Sequence, residues 1–159
     1  MQQLQPVMVG KLTGYPARRP PPLAFCACAA DAPSAKGAYI LQIDLAEAVA
    51  VRIAGRAGRR ALALPAGRYY YCGSANGPGG LRARLARHMR SGKSMHWHID
   101  QLTERGAVTG AWVLRDGREC DLVAALDGLP MPIAGFGSSD CRRCRSHLLA
   151  AGRHGPRPC

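Results

Sequence analysis

Two phenols, one arginine, one histidine and one isolated carboxylate are the residues whose types and spacing could act on a phosphate. Tyr39 stands in the branched, aromatic run Gly37–Asp44, and Tyr71 ends the triplet Tyr69-Tyr70-Tyr71. Three consecutive tyrosines on a strand must point to both faces, so at least one reaches a surface or a cleft. Tyrosines on adjacent strands can simply fill a core. With a phosphate and a water between them, they orient or deprotonate the water. Arg84 and His88 are four residues apart on a basic helical stretch and share one face. Gly77, Pro78, Gly79 and Gly80 open that helix. Free backbone N–H groups at such a start, followed by arginine, form a phosphate cradle; the alternative is a surface helix with solvated arginines. Glu119 lies three, four and seven residues before Leu122, Val123 and Leu126 and so heads an apolar stripe. An acid buried there without a partner is costly. It is either an exposed first-turn glutamate favoured by the helix dipole or a lone-carboxylate Mg²⁺ ligand, with water and phosphate oxygens completing the coordination.

A second group is Cys141, Cys144 and His147, a Cys-x2-Cys-x2-His cluster. The spacing suits zinc, but zinc takes four ligands and only three are local. Cys120, His154 or Cys159 could supply the fourth; otherwise the cluster is two surface thiols and a core histidine. His96, His98 and Asp100 alternate. On a strand they would share a face as a metal cluster, and on a helix they would diverge. The context predicts a helix start, so they are read as phosphate or structural contacts.

The elements that must position these residues follow from the pattern. Strands are predicted over Gly37–Asp44, Ala48–Ala54, Ala61–Leu64 and Arg68–Gly73, joined by hairpins, with a basic turn over Gly55–Arg60. Leu81, Leu85 and Met89 form the apolar stripe of the basic helix. A second helix starts within His96–Leu102, a strand spans Val108–Leu114, a helix spans Glu119–Leu126, and a last short strand spans Ser146–Ala150. Pro130–Ser139 is a loop. The fold class is α+β, a small, mostly antiparallel sheet flanked by helices in a single domain. Residues 1–35 carry Pro16, Pro20, Pro21, Pro22 and Pro33 with little periodicity and are expected to be a disordered leader. The domain itself is expected over 36–151, with a basic tail over 152–159.

The chain has 159 residues, a hydrophobic fraction of 47% and a formal charge of +12 from 22 Lys and Arg against 10 Asp and Glu. That size and apolar content support one core, and the charge suits a polyanion such as nucleic acid. Lysine occurs only as Lys11, Lys36 and Lys93, so a general preference for arginine contributes. Distribution therefore matters more. Arg82, Arg84, Arg87, Arg90 and Lys93 form a run without acids, with His88, His96 and His98 in or beside it. Arg82, Arg87, Arg90, Lys93, His96 and His98 are the expected nucleic-acid contacts. No stretch approaches the roughly 20 apolar residues of a membrane span. The run Leu23–Ala30 is short, and Pro20, Pro21 and Pro22 interrupt its approach, so it does not read as an export signal. Seven scattered cysteines point to a reducing cytoplasm.

Taken together, these residues resemble the GIY-YIG nuclease superfamily. Gly37-Ala38-Tyr39 and Tyr71-Cys72-Gly73 resemble its two short motifs, with Ala and Cys in place of the usual Ile, and Arg84, His88 and Glu119 follow in order. Closer is the similarity to an uncharacterised branch, a domain of unknown function. The shared stretches are Tyr71–Leu81, His96–Asp100, Glu119–Cys120, Gly135–Cys141 and Ser146–Leu148, covering about residues 37–150; the Cys141–Cys144 spacing looks one residue longer than usual there. The resemblance implies DNA strand cleavage with one Mg²⁺ or Mn²⁺. Glu119 would hold the ion, Tyr39 would act as general base helped by Tyr71, Arg84 would stabilise the transition-state charge, and His88 would contact phosphate or relay a proton.

Two other readings compete. One is a nucleic-acid-binding module with the same fold and little cleavage; the other is a zinc-stabilised interaction domain centred on Cys141, Cys144 and His147. No recognition helix or appended DNA-reading domain is apparent in the sequence.

Overall fold

The computed structural model describes residues 23–55 and 58–151. Strands β1 (Ala24–Cys26), β2 (Gly37–Leu45), β5 (Gly67–Ala75), β6 (Ala107–Arg115) and β7 (Leu148–Ala150) form one sheet in the order β1-β6-β2-β5-β7. Every neighbouring pair in it is antiparallel. Strands β3 (Val49–Gly55) and β4 (Gly58–Leu64) form a separate two-stranded hairpin. The helices are α1 (Gly80–Met89), α2 (Asp100–Thr103) and α3 (Glu119–Ala125). The architecture is α+β with a mostly antiparallel sheet, as the sequence pattern predicts.

Strict alternation along β2 and β5 builds two cores, one on each face of the sheet. Tyr39, Leu41, Ile43, Tyr69 and Tyr71 face α1, α2 and the hairpin, packing with Leu81, Leu85, Ile99, Leu102, Val51 and Leu64. Ala38, Ile40, Tyr70 and Cys72 face the other way and pack with Trp112, Leu114 and the Leu122, Val123 and Leu126 stripe. Leu81 and Leu85 are fully buried, each a contribution of about 1.5–3 kcal/mol. They hold α1 on the same face as Tyr39.

The described part of the stretch expected as a leader carries regular structure. Ala24–Cys26 pairs with Val113–Ala111 of β6, and Phe25 packs on Trp112 with ring centroids 5.0 Å apart. A 3-10 turn follows at Ala29–Asp31. This segment closes the open edge of β6, which accounts for its order. Residues 1–22 and the tail 152–159 lie outside the described residues. The basic turn expected over Gly55–Arg60 is also smaller: Arg59 and Arg60 are in β4, paired with Ala54 and Ile53, and residues 56 and 57 fall outside the description. The helix expected from His96 begins only at Asp100. The Asp100 carboxylate accepts hydrogen bonds from the N–H groups of His96 (2.8 Å) and Trp97 (2.9 Å), which holds those residues as a turn ahead of the helix.

Candidate functional site

A cleft of about 610 Å³ opens at one end of the sheet, and Tyr39, Tyr71, Arg84, His88 and Glu119 all line it. Strand register sets the phenols: Tyr39 on β2 pairs with Gly73, two residues beyond Tyr71 on β5. Gly73 is required by that contact, because a Cβ there would lie 2.4 Å from the Tyr39 hydroxyl. Gly137 plays the same part for Tyr71. Its φ is +67°, and a Cβ would meet Tyr71 Cε2 at 2.6 Å.

Beneath the cleft, the Tyr39 hydroxyl and His88 Nε2 are 2.7 Å apart in a buried hydrogen bond. Burial pushes the Tyr39 phenol well above its ordinary range, a rise that nearby Arg84 only partly opposes. Burial raises Tyr71 as well. Burial lowers His88 to about 3, and the cations Arg84, Arg87 and Lys93 add to the effect. Tyr39 and His88 are therefore a neutral phenol and a neutral imidazole at physiological pH. Two roles are expected of His88, phosphate contact or proton relay, and its position gives access to the cleft through Tyr39. Its residue is 1% exposed, Nε2 is taken by Tyr39, and Nδ1 is buried without a partner.

Arg84 reaches the cleft from α1. Its guanidinium carbon lies 4.4 Å from the Trp97 ring centroid, and that of Arg87 lies 4.1 Å from it. Arg84 makes no hydrogen bond or ion pair among the described residues, which leaves its charge for a ligand. Glu119, half-buried at the start of α3, likewise accepts no hydrogen bond and forms no ion pair among them.

The phosphate cradle expected at the start of α1 is absent. The N–H groups of Leu81 and Arg82 donate to the carbonyls of Ala35 and Pro33, and that of Gly80 donates to Gly77. The segment before β2 has taken the helix end.

The expected nucleic-acid contacts divide. Lys93 is buried, with Nζ 2.7 Å from Glu104 Oε1 and 2.7 Å from the Arg90 carbonyl, so it is a structural cation. Arg87 forms a two-pronged pair with buried Asp100, at 2.7 and 2.9 Å. Burial alone would raise the Asp100 pKa, but Arg87 and the His96 and Trp97 amides bring it down to about 2. His98 accepts a hydrogen bond from the Gly137 N–H through Nδ1. Arg82 is exposed while its Nε donates to the Ala32 carbonyl. Arg90 and His96 face solvent. Sequence reasoning missed Arg142 and Arg143, exposed residues that line the cleft beside Asp140 and Cys141. Their only signal was an arginine pair between two cysteines.

Cys120, Cys141, Cys144 and His147 have ligand atoms all within 4.8 Å of one another, a group that could hold a metal ion. Cys120, next to Glu119, supplies the fourth position; His154 and Cys159 lie outside the described residues. Burial alone would raise Cys141, yet hydrogen bonds from the Arg143 and Cys144 amides, His147 and Cys120 bring its thiol down to about 6.

The family model named Domain of unknown function DUF123 matches residues 38–157. The chain belongs to this family. That match corrects the superfamily drawn from the sequence: it is to the DUF123 family, and nothing in it shows GIY-YIG membership or that group's motifs. No curated protein matches this DUF123 chain, and neither does any solved structure. Among the described residues no helix is long and apolar enough to cross a membrane.

Proposed function

We propose that this protein is a cation-dependent endonuclease that hydrolyses phosphodiester bonds in DNA. The observation that carries the reading is the meeting of a free carboxylate, a free guanidinium and two phenols in one cleft, Glu119 with Arg84, Tyr39 and Tyr71. Glu119 fits a Mg²⁺ or Mn²⁺ ligand: it is a hard oxygen donor on the cleft wall with no protein partner among the described residues. When bound, such an ion supplies positive charge against the phosphate and the leaving oxygen.

The other groups act directly on the substrate. Arg84, backed by Trp97, offsets charge that builds on the phosphate oxygens. Tyr39, fixed by His88, offers its hydroxyl oxygen to the attacking water and orients it. Tyr71 flanks the same space. Arg142 and Arg143 draw the phosphate chain over the rim. The same reading puts the protein in a reducing cytoplasm, where its thiols stay available.

A second reading, a DNA-binding module with little cleavage, is favoured by one observation. Neither the two phenols nor His88 titrates near neutrality, so none of these three is a ready general base. Incubation with duplex, branched and single-stranded DNA in Mg²⁺, Mn²⁺ or EDTA separates the two. Cleavage products that vanish with EDTA support the nuclease. Salt-sensitive binding without products under every condition supports the binder.

A further inference from the structure

The geometry points to a structural zinc site built from Cys120, Cys141, Cys144 and His147, which clamps the cleft-lining loop to the start of α3. Three observations carry it. First, four donors from two parts of the fold, the start of α3 and the loop before β7, converge within 4.8 Å. The Cys120 and Cys141 sulfurs are 3.5 Å apart, close to the roughly 3.7 Å between neighbouring sulfurs that ~2.3 Å bonds in a tetrahedral zinc centre require. Second, the Cys141–Cys144 turn has the form of a metal-binding knuckle, with the Cys144 N–H aimed at Cys141 Sγ at 3.3 Å. Third, His147 is 4% exposed, and its ring supplies a nitrogen to the group beside the three sulfurs, so the imidazole is held in place by the core and not free to swing away.

The donor set selects the element. Three thiols and an imidazole are soft and borderline ligands that suit zinc and disfavour Mg²⁺, Ca²⁺ and Mn²⁺. Four protein ligands close the coordination sphere, as in structural rather than catalytic zinc sites. Binding replaces the thiol protons, which leave to solvent. The site is distinct from the Glu119 position and does not depend on the chemistry proposed there. Its placement still matters to the cleft, because Cys120 follows Glu119 and Cys141 sits between Asp140 and Arg142, both of which line it. Holding the two cysteines together fixes the separation of the Glu119 carboxylate and the arginine rim.

The test is metal analysis of the full-length chain, purified without chelators or a metal-affinity tag. One zinc per chain is expected. It should be lost in Cys141→Ser and Cys144→Ser and kept in Cys28→Ser, an exposed cysteine outside the cluster. Because the first two variants can fail to fold, the wild-type chain is also stripped and titrated with Co²⁺. Intense visible absorption of tetrahedral thiolate-bound cobalt is expected, saturating at one equivalent. Substoichiometric zinc together with no such absorption overturns the site, and so does zinc retained in folded Cys141→Ser. None of these readouts involves DNA cleavage.

Discussion

The Tyr39 hydroxyl and His88 Nε2 are joined at 2.7 Å beneath the cleft, and burial makes both partners neutral. The pair thus fixes the phenol without charging it. This has a consequence for stability. His88 is lowered to about 3 in the folded chain from an ordinary 6.5, so between those values the unfolded chain binds the extra proton. Stability is full above about pH 6.5 and falls as pH drops toward 3. Thermal unfolding followed by circular dichroism from pH 8 to 4 should show a midpoint that declines through this window, reflecting a loss of stability on the order of a few kcal/mol. His88→Gln should flatten the decline. An unchanged slope in that variant would mean that other groups carry it.

Gly73 leaves room for the Tyr39 hydroxyl. Gly73→Ala should destabilise the fold by about 1–3 kcal/mol through overpacking and should lower cleavage beyond that by displacing the phenol, roughly a hundredfold for a shift of about 1 Å. Denaturant melts and initial rates on one preparation separate the two effects. A variant with wild-type stability and rate would contradict the packing described.

The cations differ in what they do. Lys93→Ala removes a buried cation from its partly exposed partner Glu104 and should lower stability, while leaving the salt dependence of DNA affinity unchanged. Arg142→Ala and Arg143→Ala should leave stability alone and each reduce the slope of log K against log salt by about 1. Fluorescence anisotropy across a salt series checks both; the opposite assignment would restore Lys93 as a phosphate contact.

Arg84 lies over the Trp97 ring and makes no hydrogen bond or ion pair among the described residues. Arg84→Ala should therefore fold normally and lose cleavage by roughly 10²–10³-fold, and Arg84→Lys should recover part of the rate. Single-turnover kinetics at saturating protein read this directly. A large loss of stability instead would make Arg84 a packing residue.

The legible parts of this sequence were those governed by local periodicity. The branched and aromatic residues of Gly37–Asp44 and the tyrosine run Tyr69–Tyr71 pointed to β2 and β5, and the Leu81/Leu85 spacing pointed to α1 and the face it buries. The order of Tyr39, Tyr71, Arg84, His88 and Glu119 along the chain was visible, and the fold brings them together. What periodicity could not show was pairing over distance. Ala24–Cys26 carries no pattern of its own and is a strand because β6 has an edge to cover. Leu81 and Arg82 lost their free N–H groups to the Ala35 and Pro33 carbonyls, and nothing local signals that. Lys93 read as one more cation in a basic run because Glu104, eleven residues on, is its partner. Cys120 was one of three candidates for the fourth ligand, and only the docking of α3 beside the 137–147 loop selects it.

The most direct measurement is Mn²⁺-dependent nicking of supercoiled DNA by the wild type and Glu119→Ala, with DNA affinity measured on both. The account predicts cation-dependent nicking by the wild type, a loss of roughly a hundredfold or more in the variant, and affinity little changed. Nicking by Glu119→Ala at the wild-type rate would contradict it.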